Sequence, residues 1–236
     1  MKTTTATEIG VGPRTKERIL QELRADIISQ QLRPGQAIRE DELAQRYGIS
    51  RTPIREMLRK LEQEDLVKIV PNKGVIVSEL TSHDIEEILD IRLSLETTAA
   101  RMAAVNVSSA QLTELKEIDR LLDQAVELQD SIISVETDAK LHNLILVAAG
   151  NTRAQKIIMN LMSQILRVRF VSAHKPGRIE TTVTEHKDIV RALLGKDPEK
   201  AEEAMRIHLT NTKELLLPSS EIDRKFEEFI RHSLST

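Results

Sequence analysis

Asp138 and His142 stand four residues apart in TDAKLHNLIL, and on a helix that spacing projects a carboxylate and an imidazole from one face, about one turn apart. Two groups so placed can share one cation. His186 lies among Val183, Ile189 and Val190, and His208 lies beside Ile207 and Leu209, so both histidines sit next to apolar positions of their own helical patterns. If three helices converge, the four side chains supply one oxygen and three nitrogen ligands. That set suits a divalent ion, zinc first, with nickel, manganese or iron also compatible. Taken singly, each histidine is better accounted for as a buried or rim imidazole satisfied by a hydrogen bond.

A second chemistry is written in YGISRTPIREMLRKLEQEDLV, residues 47–67. Arg51, Arg55 and Arg59 recur every four residues and form a cationic stripe, while Ile54, Leu58 and Leu61 line a neighbouring apolar face. One face packs and the other is left for a partner. Ser50 and Thr52, at the helix start, can reach phosphates, and Arg51 and Arg55 can reach phosphates or base edges in a major groove.

These side chains need elements to hold them. Gly48 and Ser50 mark the end of one helix (Glu40 to Tyr47) and the start of the next, a helix-turn-helix. The β-rich runs Leu66–Val70 and Val75–Ser78 flank Pro71, Asn72, Lys73 and Gly74, a hairpin whose basic tip is placed as a wing. Lys73 and the bare backbone of Gly74 can approach a second stretch of DNA backbone. Upstream, Ile19, Leu23 and Ile27 share a helical face, after a Thr-rich N-terminal arm.

From Thr81 onward the periodicity is helical throughout. Helices are expected to about Ala104, from Ser108 or Ser109 to Leu128, from Ile132 to Ala149, from Asn151 to Ala173, from Glu180 to Leu194, and from Asp197-Pro198 to Leu217. A last amphipathic helix, with Ile222, Phe226, Phe229 and Ile230, needs a surface to cover. The fold class is therefore mainly α: a winged helix-turn-helix over 1–80, then an all-α bundle of six to seven helices over 81–236.

Composition agrees with two jobs. The net charge of −3 is not that of a blanket polyanion binder, yet residues 1–80 hold 14 Lys and Arg against 12 Asp and Glu, and the remainder 20 against 25. The absence of Cys excludes disulfides, thiolate metal sites and thiol nucleophiles. No apolar run approaches membrane-spanning length and the N-terminus lacks a signal-peptide core, so the expectation is a cytoplasmic protein without a membrane partner.

The stretch SRTPIREMLRKLEQEDLV, preceded by LRPGQAIREDELAQRYGI and followed by NKG, resembles the DNA-binding domain of GntR-family bacterial regulators. The resemblance implies operator contacts by Ser50, Arg51, Thr52, Arg55 and the wing Gly74. Where some members carry an Arg before the Glu-Leu-Ala of the first motif helix this chain has Asp41, and Arg39 is the substitute. Further on, IRLSLETTAARMAA, DAKLH, TEHKDIVRALL and AMRIHL resemble the effector domain of the FCD (FadR-like) branch. In its metal-binding members an Asp and three His, matching Asp138, His142, His186 and His208, hold the metal. Arg92, in the branch's Arg-x-x-Leu-Glu pattern, is implied as a clamp for an anionic effector, the alternative being a salt bridge to Glu96 at i+4.

The expectation is a homodimeric repressor that addresses palindromic operator DNA and responds to a small carboxylate bound at the metal. A metal-free pocket for an acyl or other organic effector is the alternative. A metal-dependent hydrolase is the rival from another class, with Glu185 as its one candidate base and no nucleophile constellation.

Overall fold

The computed structural model describes residues 16–71 and 74–217. Two compact units emerge, residues 1–79 and 80–236.

In the first unit α1 (Lys16–Ile28), α2 (Glu40–Tyr47) and α3 (Arg51–Gln63) accompany a three-stranded antiparallel sheet of β1 (Ala37–Ile38), β2 (Val67–Val70) and β3 (Gly74–Val77), in the order β1-β3-β2. The α2–α3 turn forms because Gly48 takes the left-handed conformation, φ 67°, and its N–H caps the carbonyls of Ala44 and Gln45. A side chain at that φ would be strained. Ile54, Met57, Leu58 and Leu61 bury one face of α3 against Ile19, Leu23 and Ile27 of α1, with Leu66, Val67, Val75 and Val77 from the hairpin completing the core. Arg24 reaches Glu64 at the end of α3 with two bonds, 2.7 and 2.6 Å, and so anchors α3 on α1. Register in the hairpin runs from Val67 opposite Val77 to Val70 opposite Gly74.

The second unit holds α4 (Ser82–Asn106), α5 (Ser109–Leu128), α6 (Ser131–Ala149), α7 (Thr152–Asn160), α8 (Met162–Ala173), α9 (Arg178–Leu194) and α10 (Pro198–Leu216). Four of its helix starts carry the caps that the sequence suggests, and Asp130 caps a fifth. Thr81 with Asp84 and Ser108 with Gln111 form capping boxes, and Asp130, Asn151 and Asp197 accept backbone N–H bonds at the next three starts that carry a polar cap. Each such cap contributes about 1 kcal/mol. The helix α4 packs on α10 and α6, and α6 also meets α5, α8 and α9, which places α6 at the centre of the bundle.

One expected helix is two. The run from Asn151 to Ala173 breaks at Leu161, whose φ and ψ of −93° and 2° end α7 and start α8. No Gly or Pro marks the break, so local propensity predicts continuity; packing decides otherwise, because the redirected α8 buries Ile165, Arg167, Val168 and Arg169 together. The expected last helix, residues 222–230, and the N-terminal arm lie outside the described residues, as does Lys73 at the wing tip.

Candidate functional site

On α3 the apolar stripe is buried and Arg51, Thr52, Arg55 and Arg59 are exposed, so the cationic face is presented to solvent. Ser50 occupies the N-cap with extended backbone, yet its hydroxyl makes no capping bond and stays available to an outside acceptor or donor. Among the described residues Arg51 and Arg59 have no ion-pair partner. Arg55 donates to Glu40 of α2 at 2.7 Å, and Arg39, just ahead of α2, lies 3.5 Å from Asp41 and 3.4 Å from Glu42. All three pairs involve arginines more than 60% exposed, so little energy opposes their exchange for phosphate. Gly74, at φ 83°, opens β3 from the wing, and a Cβ built on it would meet nothing within 4 Å among the described residues.

The second cluster forms inside the helical unit. The i, i+4 spacing on α6 projects Asp138 and His142 inward, α9 brings His186 and α10 brings His208; all four are buried, and one ligand atom from each lies within 4.8 Å of the others. The converging atoms are chemically selective. Asp138 Oδ2 is 3.3 Å from His186 Nε2, 3.9 Å from His142 Nε2 and 4.0 Å from His208 Nε2, and the Nε2 atoms of His186 and His208 are 3.3 Å apart. Ligands held about 2.0 to 2.2 Å from one ion stand roughly 3 to 4 Å from each other, so these four separations fit.

The opposite ring edges fix the tautomers. His208 Nδ1 donates to Glu185 Oε2 at 2.8 Å, and His142 Nδ1 makes a short contact with Glu96 Oε2. Each carboxylate therefore holds the proton on Nδ1 and leaves the Nε2 lone pair turned to the centre, the arrangement a metal-bound imidazole needs. His142 Nε2 is buried with no hydrogen-bond partner among the described residues. A cation would satisfy it.

Every buried carboxylate here has a guanidinium beside it. Arg92 donates to Glu96 at 2.7 Å with both side chains 1% exposed, Arg169 on α8 makes a short ion pair with Asp138, and Arg178 lies 3.1 Å from Glu185. Burial alone would raise the Asp138 carboxyl, but the Arg169 guanidinium, with His142 and His186 beside it, holds it well below the usual carboxylate range. Burial likewise opposes ionisation of Glu185, which the bonds from His208 and Asn211 and the charge of Arg178 bring down to about 2. Burial and the neighbouring His186 push His208 down to about 3 against the pull of Glu185. The imidazole is neutral at pH 7, ready to ligate.

Beside the cluster lies a cavity of about 20 Å³, lined among others by Arg92, Ser134, Arg169, Arg178, Thr182 and His208. It is large enough for one water-sized group.

The sequence-predicted metal set is thus brought together, and the salt bridge from Arg92 to Glu96 is present in the same place as the cavity wall. Sequence reasoning missed Arg178, which follows Gly177 at a helix start and reads as a surface residue. It saw Glu96 only as a partner for Arg92 and Glu185 only as a candidate base; the structure gives Glu185 instead to His208, Arg178 and Asn211. The Arg92–Glu96 spacing of four was the one available signal for the outer carboxylates.

Comparison with known proteins gives two matches that together span most of the chain. Residues 15–77 match the model of bacterial regulatory proteins of the gntR family, and residues 87–211 match that of the FCD domain. The HTH-type transcriptional repressor RspR of Escherichia coli strain K12 is 29% identical over 211 residues, covering 89% of this chain and 92% of its own length. Among solved structures, E. coli McbR/YncC superposes with a TM-score of 0.72 at 22% identity, over 85% of this chain and 96% of that one. The metal-free FCD domain of TM0439 aligns with a TM-score of 0.51 at 22% identity, over 59% of this chain and 96% of that one. At such identities the structural likeness speaks for the fold.

Proposed function

The chain belongs to the GntR family of bacterial transcriptional regulators, with an FCD C-terminal domain, and on that footing we propose that it is a metal-dependent, effector-responsive repressor of operator DNA. The family and the relatives are transcription regulators rather than enzymes. No helix among the described residues is long and apolar enough to cross a membrane.

In this reading α3 docks in a major groove, with Arg51 and Arg55 reaching bases or phosphates, Ser50 and Thr52 contacting phosphate at the helix start, Arg39 supporting from just ahead of α2, and Lys73 and Gly74 approaching from the wing. A homodimer, acting in the cytoplasm, presents two such helices to a palindromic site. Asp138, His142, His186 and His208 hold one divalent ion, zinc by preference, through Oδ2 and three Nε2 atoms. When bound, that ion supplies Lewis-acid attraction for an oxygen anion. The observation that carries the reading is the convergence of those four atoms, with Glu96 and Glu185 fixing two of the imidazoles and His142 Nε2 left without a partner.

The effector is a small carboxylate, drawn in by Arg92 and the neighbouring guanidiniums. The cavity's size gives the response a physical cause: about 20 Å³ cannot hold an organic acid, so binding must move the helices that wall it, and a state with the wall open is the state the effector favours. The same small volume, walled by three guanidiniums, argues against an acyl chain as occupant.

The test is elemental analysis of untagged protein followed by operator titrations of the metal-loaded and chelator-stripped forms against small carboxylates. Near-stoichiometric metal, with one acid shifting DNA affinity only when metal is present, is the expected result. Absence of metal, with operator binding indifferent to stripping, would reduce the four ligands to ordinary core residues.

A further inference from the structure

We propose that the effector site selects a small dianion, one carrying two negative charges on neighbouring oxygen groups, over a monocarboxylate of similar size. The inference rests on the metal reading above and adds to it the charge balance of the bundle's interior.

Three ion pairs surround the cluster, and they cancel. Glu96 is matched by Arg92, Asp138 by Arg169 and Glu185 by Arg178, with all six side chains no more than 9% exposed. Imidazoles that ligate a metal must be neutral. The other buried arginine of α8, Arg167, has Asp84 at the start of α4 to offset it. The protein therefore contributes no net charge at the site, and an ion of charge +2 leaves the centre at +2 in a place where water cannot screen it. A metal site that supplied two unpaired carboxylates of its own would be neutral when loaded and would have no such demand. Here every carboxylate within reach is already spent on a guanidinium.

The ligand must then bring the missing charge. A dianion returns the loaded site to neutrality, a monoanion leaves it at +1, and a neutral polyol leaves it at +2. The wall has the donors such a ligand needs. Arg92, Arg169 and Arg178 all border the cavity, and Ser134 and Thr182 add buried hydroxyls to it. Arg178 is the adaptable member of the set. It is bonded to Ser172 Oγ at 3.3 Å, Glu185 Oε1 at 3.1 Å and Thr212 Oγ1 at 2.7 Å, and the two hydroxyls can be exchanged for ligand oxygens without breaking the ion pair. The shared chemistry is a compact dianion, whether a dicarboxylate or a phosphate monoester.

The experiment is calorimetric titration of metal-loaded full-length protein, freed of excess ion, with malate, glycerol phosphate, lactate and glycerol at one pH above 7. Malate or glycerol phosphate should bind at least roughly tenfold tighter than lactate, the minimum expected of one more charge-assisted interaction in a buried site, and glycerol should not bind measurably. Which of the two dianions leads identifies the source of the charge. Lactate binding as tightly as both dianions would overturn the dianion class while leaving the metal reading standing. A protein that holds no metal would overturn that reading, and the dianion with it. The mechanism is tested by Arg178→Gln, which lowers the loaded site to +1 and should shrink the preference for the dianion, with Arg178→Lys restoring it. A preference unchanged in a folded Arg178→Gln protein would also overturn the charge argument; should that variant not fold, the wild-type panel still decides.

Discussion

The two units use arginine in opposite ways. On α3 and just ahead of α2 the arginines are exposed, and Arg51 and Arg59 have no ion-pair partner among the described residues, while Arg55 and Arg39 hold only surface pairs. In the helical unit Arg92, Arg169 and Arg178 are 1%, 6% and 5% exposed, and each is committed to a carboxylate. A surface arginine is cheap to keep and free to change partners, which suits a group that must find and release phosphate. A buried one cannot be left alone, so it becomes part of a fixed, balanced network that reports any charge added to it.

The largest expected effect tests that commitment. Arg169→Met removes the partner of Asp138 and should lower the stability of the metal-free protein by about 3 to 5 kcal/mol, as measured by denaturant unfolding, because a buried carboxylate is left uncompensated. Arg51→Ala should change stability by no more than about 0.5 kcal/mol. Equal effects from the two substitutions would erase the contrast. Loading with metal should recover part of the Arg169→Met loss, since the ion takes over the charge of Asp138.

Next in size is the response to metal itself. With free ion at 100 times its dissociation constant, the wild-type protein should gain about 2.7 kcal/mol of stability, and His186→Ala, one ligand short, close to none at the same concentration. Full metal retention in His186→Ala would remove that residue from the ligand set. Operator binding comes third. Arg51→Ala or Arg55→Ala should each cost about 1 to 3 kcal/mol of operator affinity in titrations at fixed salt, with unfolding unchanged. Undiminished affinity in both would sink the assignment of α3 as the recognition helix.

These predictions differ in how far the sequence alone reaches them. The exposed stripe follows from one periodicity: Arg51, Arg55 and Arg59 share a face because a helix has 3.6 residues per turn, and Ile54, Leu58 and Leu61 decide which face turns inward. The capped helix starts are equally local. The four candidate ligands were legible in part because Asp138 and His142 lie one turn apart on α6. His186 and His208 had only their apolar neighbours and a family resemblance to recommend them. Arg178 and Arg169 were not legible as parts of a network, since their partners, Glu185 and Asp138, are found by the crossing of α8, α9 and α10 with α6 and not by any spacing along the chain. The break at Leu161 that aims α8 was hidden for the same reason, as nothing in IIMNLMSQIL interrupts a helix locally.

Acidity offers the smallest effect and separates the units cleanly, because all six histidines lie at or beyond position 83 and the DNA-binding unit has none. Burial first, and then the charge of His186, hold His208 at about 3 in the folded protein, against an unfolded value of about 6.5. A histidine with a depressed folded pKa costs nothing above its unfolded value; below it the unfolded chain takes up a proton that the folded one refuses, and stability falls until the folded value is reached. The affected window is therefore pH 6.5 down to about 3. Lowering the pH from 7.5 to 5.5 should destabilise the metal-free protein by about 1 kcal/mol through His208, with His142, whose pKa burial also lowers, adding in the same direction. The first unit holds no histidine, so an isolated loss of operator contacts is not expected from its side. Metal should not suppress the acid effect: a ligated imidazole refuses the proton as the buried one does, while the unfolded chain still takes it up, so the zinc-loaded protein should lose at least as much stability over this range, as the pH dependence of unfolding with and without zinc measures. Zinc that adds no stability at either pH would mean that the histidines are buried for packing alone.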